Sequence, residues 1–224
     1  MVFASNNKHK LEEVRAMMPA GIKVLSLNEI GFHAEIEENG TTLEENSRIK
    51  AATVAAFIND GMSAAKPLND GMMIDGVFAD DTGLEIDALG GKPGVYTARW
   101  YRMNDEMIAP LNDEMMIFKA NRAKALRELE GKEDRGAQFR TVITLIRLED
   151  GVSRLQDALL QVEGIVRGRI AEEEFGEGGF GYDPVFIPEG YDKTFGELPA
   201  SVKNEISHRA RALQALIGEL KGEK

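Results

Sequence analysis

Short apolar runs alternate along the chain with segments whose apolar residues recur every three or four positions, which predicts strands and amphipathic helices in mixed order. Met1-Val-Phe-Ala4 reads as a minimal strand. It leads through the polar turn Ser5-Asn-Asn-Lys-His-Lys10 into a helix with Leu11, Val14, Met17 and Met18 on one face. Val24-Leu25-Ser26-Leu27 predicts a second short strand. Thr42 and Glu45 form a capping box, so a helix is expected over 42–58 with Leu43, Ile49, Ala52 and Ala56 inward. Repeated Asn-Asp-Gly turns make 59–75 a loop or short hairpin. Ile74, Val77, Phe78 and Ala79 then predict a buried strand that ends at Asp80-Asp81-Thr82-Gly83, and Gly90-Gly91-Lys92-Pro93-Gly94 an ordered turn. Segment 101–110 has no clear period. A helix follows with Leu111, Met115, Phe118, Leu126 and Leu129 inward and its methionines as core filler. The β-branched segment 139–148 is the clearest strand, closed by Glu149-Asp150-Gly151 and followed by a hairpin partner over 155–166, so part of the sheet should be antiparallel. Ser207 should cap a terminal helix whose stripe is Ile206, Ala210, Leu213, Ile217 and Leu220.

At 224 residues, 43% hydrophobic and 29% charged, the chain suits one folded domain over 1–224, either with a single core or with two lobes. The 27 basic and 38 acidic residues leave a net charge of −11, which repels polyanions and argues against nucleic acid as a partner. Cysteine is absent and the three histidines, His9, His33 and His208, are scattered, so thiolate zinc is excluded and any metal should be a hard ion held by oxygen, such as Mg²⁺. No apolar run reaches the roughly 18 residues a membrane span needs, and the first residues lack the apolar region of a signal peptide, so a cytoplasmic protein without a membrane partner is expected.

Five places could carry chemistry. The helix after Ser5-Asn6-Asn7 opens beside Lys8 and Lys10, a geometry that binds phosphate, although the same residues could simply cap the helix. Asp80 and Asp81 next to an ordered glycine loop suggest a cation site. Glu37 and Glu38 lie just before a helix, either as a solvated acidic face or as Mg²⁺ ligands, and Asn46 and Lys50 could reach the same point from one helix face. In Gly176-Glu-Gly-Gly-Phe-Gly181-Tyr182-Asp183 the glycines let the backbone approach a ligand while an aromatic ring stacks on a flat base; the alternative is a tight turn with Phe180 and Tyr182 in the core. No Gly-Lys-Ser/Thr follows, so this is not a P-loop. His208 and Arg209 sit in a first helical turn, where the dipole disfavours cations, which hints at an anion or carbonyl to be held.

Three of these segments, Ser5-Asn-Asn-Lys-His-Lys10, the run from Phe78 through Asp81-Thr82-Gly83 to Arg99, and Gly178-Gly-Phe-Gly-Tyr-Asp-Pro-Val-Phe186 with Ser207-His-Arg209, together resemble the inosine triphosphate pyrophosphatase (Ham1/RdgB-like) family. The resemblance implies a mixed α/β fold: an elongated mixed β-sheet flanked by helices, in two lobes with the active-site cleft between them. It also implies a homodimer and Mg²⁺-dependent hydrolysis of deaminated purine nucleoside triphosphates (ITP, dITP, XTP) to the monophosphate and pyrophosphate. Carried over by position, the Ser5, Asn6, Asn7, Lys8, His9 and Lys10 motif is the triphosphate cradle, with Ser5, Asn7 and Lys10 on phosphate. Asp81 matches the metal-binding and catalytic carboxylate, Thr82 a substrate contact, and Glu38, with Glu37 as a candidate beside it, the second metal ligand. Phe180, Gly181, Tyr182, Asp183, Lys203, His208 and Arg209 match the nucleobase pocket. Whether Asp80 or Asp81 handles the water stays open. The chain departs from the family pattern in a longer 59–77 linker and in Trp100-Tyr101-Arg102.

Overall fold

A computed structural model describes residues 1–60, 74–103, 111–148 and 159–222. In chain order it contains β1 (Val2–Phe3), α1 (Lys8–Met17), α2 (Leu43–Asn59), β2 (Gly76–Ile86), β3 (Lys92–Gly94), α3 (Glu114–Glu128), β4 (Gly136–Arg147), β5 (Leu159–Ile170), β6 (Phe186–Pro188), α4 (Ala200–Ile206) and α5 (His208–Lys221). The strands form one six-stranded sheet in the order β1-β2-β4-β5-β6, with β3 also on β2. β1 pairs parallel with β2, while β3 on β2 and β6 on β5 are antiparallel. The fold is thus mixed α/β, as the pattern predicts.

The chain divides into two compact units, the first made of Met1–Asp81, Thr141–Gly164 and Ala212–Lys224 and the second of Thr82–Arg140 and Ile165–Arg211. In the first, Val2, Ala4, Leu25, Leu27, Val54, Val77 and Ile146 belong to one apolar cluster, and Phe3, Val14, Phe78, Ile143, Leu213 and Leu216 to another. In the second, Leu84, Ile86, Trp100, Leu129, Phe139, Tyr182, Phe186 and Phe195 make a single core.

Several local expectations are corrected. Val24 to Leu27 is not a strand but a single parallel bridge, Val2 to Leu25. The Leu27 carbonyl accepts from both Ile30 N and Phe32 N, which curls the chain out of the sheet at once. Nor does the central strand end at Asp80 and Asp81: β2 runs on to Ile86, because both carboxylates meet ammonium groups and can stay buried in mid-strand. On the inward face of α2 Leu43 stands as expected, but Ile49 and Ala52 are only half-buried and Ala56 is exposed, and the face is made instead by Asn46, Ser47 and Lys50 beside Leu43, Ala51, Val54 and Ala55. In α3 the methionines are not core filler, since Met115 and Met116 are 66% and 59% exposed and the buried positions are Asn121, Arg122, Lys124 and Ala125. These polar residues face inward to reach backbone carbonyls: Asn121 bonds Ala98 O, and Lys124 Nζ bonds Trp100 O and Met103 O. Ser207 caps α5, its Oγ accepting from Ala210 N, but Ile206 and Lys203 belong to the separate helix α4. Of the expected loops, positions 61–73, 104–110 and 149–158 lie outside the described residues, including the turn at Glu149-Asp150-Gly151 and the start of the hairpin partner.

Candidate active site

In the first unit, β1 stops at Phe3 and the chain turns through Ser5-Asn6-Asn7 into α1. Asn7 is the N-cap: its Oδ1 accepts from Lys10 N at 3.0 Å, and its own N–H donates to Ser5 Oγ at 3.2 Å. The cap fixes the first turn, whose backbone amides and positive dipole end are directed past the exposed Asn6, Lys8 and His9. One turn in, Lys10 Nζ donates to Asp80 Oδ1 at 3.0 Å, and Asp80 is only 1% exposed.

The neighbouring residue of β2, Asp81, is addressed from α2. Lys50 Nζ donates to Asp81 Oδ1 at 2.9 Å and to Glu38 Oε2 at 2.8 Å, while Asn46 Nδ2 reaches Asp81 Oδ2 at 3.4 Å. Thr42, the N-cap of α2, accepts from Glu45 N and sets where this face begins; the Glu45 carboxylate accepts from Thr41 N and also reaches back to the Thr42 backbone N–H, the reciprocal arm of the expected capping box. Glu37 is exposed.

Within this unit three carboxylates, Glu38, Asp80 and Asp81, share two ammonium groups, Lys10 and Lys50. Burial and that ratio together set both titration shifts. Burial works against the Lys50 ammonium, but the charges of Asp81, Glu38 and Asp80 outweigh it and raise its pKa above the usual lysine value. Burial raises the Asp81 pKa, and the attraction of Lys50 and Lys10 only partly offsets this, with Glu38 adding repulsion.

A hard cation fits this donor set. Carboxylate oxygens of Glu38 and Asp81 already converge on one positive group, the Lys50 ammonium. Among the described residues no three His, Cys, Asp or Glu side chains form a closed metal cage. Two carboxylates completed by phosphate oxygens and water is how Mg²⁺ is commonly held.

The second unit winds a glycine loop around another buried carboxylate. Asp183 Oδ2 accepts from Phe180 N at 2.7 Å and from Lys203 Nζ at 2.6 Å, and Lys203 stands on α4. Gly179 is left-handed at φ 71°, and a Cβ there would collide with the Asp183 carboxylate, so glycine is required. The two alternatives for the aromatics are divided between them. Phe180 is half-buried, with Lys203 Nζ 4.5 Å and Arg209 Cζ 5.9 Å from its ring centroid, whereas Tyr182 lies in the core and donates its hydroxyl to Thr97 O at 3.1 Å. Burial pushes the Tyr182 hydroxyl pKa up. His208 is buried with its ring stacked on Phe139, centroids 4.6 Å apart, and Arg209 Nη2 donates to Thr82 Oγ1 at 3.4 Å.

Sequence reasoning missed Arg122, which donates from Nη1 to Gly181 O at 2.8 Å and pairs through Nη2 with Glu174 at 2.9 Å. The available signal was an arginine between Asn121 and Lys124 on the one α3 face that also carries Ala125.

The Ham1 family model matches residues 1–219. A Flavobacterium johnsoniae protein named dITP/XTP pyrophosphatase is 41% identical over 224 residues, covering 100% of this chain and 99% of the relative. One of the same name from Bacillus subtilis is 43% identical, covering 96% of this chain and 93% of the relative. Among solved structures, the Staphylococcus aureus Ham1 protein superposes with a TM-score of 0.74 at 34% identity, over 100% of this chain and 98% of that one, and a Coxiella burnetii HAM1 protein does so with 0.74 at 34%, over 99% and 98%.

Proposed function

Because the chain belongs to the Ham1 family, we propose that it is a pyrophosphatase of deaminated purine nucleoside triphosphates, dITP and XTP as in its relatives and ITP by the same base chemistry, releasing the monophosphate and pyrophosphate. The observation that carries this reading is the buried pair Asp80 and Asp81, met by Lys10 from the capped turn and by Lys50 from α2. Acids and ammonium groups beside an amide-rich helix start suit phosphoryl transfer, where catalysis is mostly positioning and charge stabilisation.

The first-turn amides after Ser5-Asn6-Asn7, with Lys10, hold the phosphate chain. Glu38 and Asp81 would hold Mg²⁺, with Glu37 beside them, and the ion when bound neutralises charge on the phosphate oxygens. Water attacks the α-phosphorus, the bond from that phosphorus to its bridging oxygen breaks, and pyrophosphate leaves. Asp81 or Asp80 orients the water and takes its proton. Lys50, which touches both Glu38 and Asp81, holds these two carboxylates side by side for the task.

Choice of base falls to the second unit. The purine stacks on Phe180, and donors from His208 and Arg209 meet a 6-oxo group. Adenine presents an amino donor there instead, and a mispaired buried polar group costs about 1–3 kcal/mol, roughly ten- to a hundredfold per contact. The same reading places the protein in the cytoplasm as a homodimer, which light scattering checks. Among the described residues no helix is long and apolar enough to cross a membrane. The test is a panel of dITP, XTP, ITP, dATP and dGTP with and without Mg²⁺, scored separately for pyrophosphate and orthophosphate. Pyrophosphate from the deaminated purines, dependent on Mg²⁺, is expected; orthophosphate, or no turnover, rejects the reading.

A further inference from the structure

One face of α3 braces the loop that carries Phe180. Phe118 and Arg122 are one turn apart on it; the Phe118 ring centroid lies 6.3 Å from that of Phe180, and Arg122 Nη1 holds Gly181 O at 2.8 Å. Through Nη2 the same guanidinium holds Glu174 at 2.9 Å, so it ties the loop both ahead of its glycines and at Gly181, the last of them. Gly181, left-handed at φ 63°, has no side chain with which to fix the backbone after Phe180, so the Arg122 bond to its carbonyl adds to the Asp183 bond at Phe180 N in holding the ring in place.

Stability alone does not account for an arginine here. Its side chain is 9% exposed, and Nε, buried, has no hydrogen-bond partner among the described residues. A buried donor left unsatisfied is a cost, and a buried ion pair gains little over an apolar side chain of similar volume.

We propose that Arg122 is a positioning residue for base selection: by clamping Gly181 and Glu174 it sets the pose of Phe180, and with it the preference for a 6-oxo purine over adenine. The inference rests on the nucleotide reading above. Because Arg122 acts on the ring and not on the acids, it governs KM and base preference, leaving the chemical step largely alone.

Arg122→Met and Glu174→Gln in the full chain test this, assayed on dITP, dATP and ribose 5-triphosphate, which has no base. For Arg122→Met, KM for dITP should rise about tenfold with kcat within about threefold, the dITP-over-dATP preference should fall by a similar factor, ribose 5-triphosphate should turn over as before, and Tm should not drop. Glu174→Gln, at the more exposed end of the clamp, should move KM in the same direction by less, and it decides the matter if Arg122→Met does not fold. Unchanged KM and preference, or a loss confined to kcat, overturns the proposal. Wild-type protein that releases no pyrophosphate from any nucleotide refutes the family reading instead, a result visible before any variant is made.

Discussion

The two units solve the problem of a buried carboxylate in opposite ways. In the first, Asp80 and Asp81 sit in a regular strand and are met by lysines from two regular helices, so the charged groups are fixed by elements that cannot easily move. In the second, Asp183 is encircled by its own loop, with Phe180 N and Lys203 Nζ as donors and glycines wherever a side chain would clash. Rigid elements suit atoms that must stay aligned with a reacting phosphorus. A loop suits the reading of a base, since small changes in it alter fit without disturbing the acids. Turnover and selectivity should therefore respond to different substitutions.

The largest separation should come from Asp81→Asn. Turnover should fall by about a thousandfold or more, because the charge proposed to hold the metal and a candidate base are removed together. The fold should survive: within that unit the change leaves two carboxylates for two ammonium groups, and removes a charge whose burial is unfavourable. Pyrophosphate release alongside a melting curve checks this, and a collapsed Tm would show that Asp81 is structural. Asp183→Asn should do the reverse. It leaves the Lys203 ammonium, 5% exposed, without its carboxylate, a change that costs about 3–5 kcal/mol for a buried pair, and KM should rise far more than kcat falls. Denaturant midpoints and steady-state kinetics read both.

Much of this was legible from the chain, and the exceptions have physical causes. Asn7, Thr42 and Ser207 are helix caps because each cap bond closes within three residues, a range that local spacing captures. The continuation of β2 through Asp80 and Asp81 was not legible, because the groups that allow it, Lys10 and Lys50, lie 70 and 31 positions away. For the same reason the inward face of α3 was misjudged, since Asn121 and Lys124 are turned inward by distant partners where hydrophobic spacing alone would turn them out. Asn46 and Lys50, by contrast, were read as able to reach the acids from one face of α2, and they do. The candidate residues themselves were found through motifs, while Arg122, which belongs to none of them, was not.

The smallest expected effect lies away from both acid sites. The hydrogen bond from Arg167 holds the Asp87 carboxyl below its ordinary pKa, against a small opposing desolvation and with added Coulombic attraction from the same guanidinium. A depressed carboxylate pKa contributes stability above the unfolded value and loses it as pH falls through the folded one. Wild type should therefore exceed Arg167→Gln only by a few tenths of a kcal/mol near neutrality, as the pair is solvent-screened, and the gap should close below about pH 4. Urea melts at several pH values measure it; a gap that widens on acidification would reverse the sign.

The proposed function divides the work: the acids of the first unit would supply the chemistry and the loop of the second would choose the base. Its most direct test is the ratio of kcat/KM for dITP to that for dATP, measured side by side in wild type, Asp81→Glu and Phe180→Ala. Asp81→Glu should depress both substrates together and leave the ratio near the wild-type value, while Phe180→Ala should collapse it. A ratio that shifts in Asp81→Glu and holds in Phe180→Ala would contradict the account.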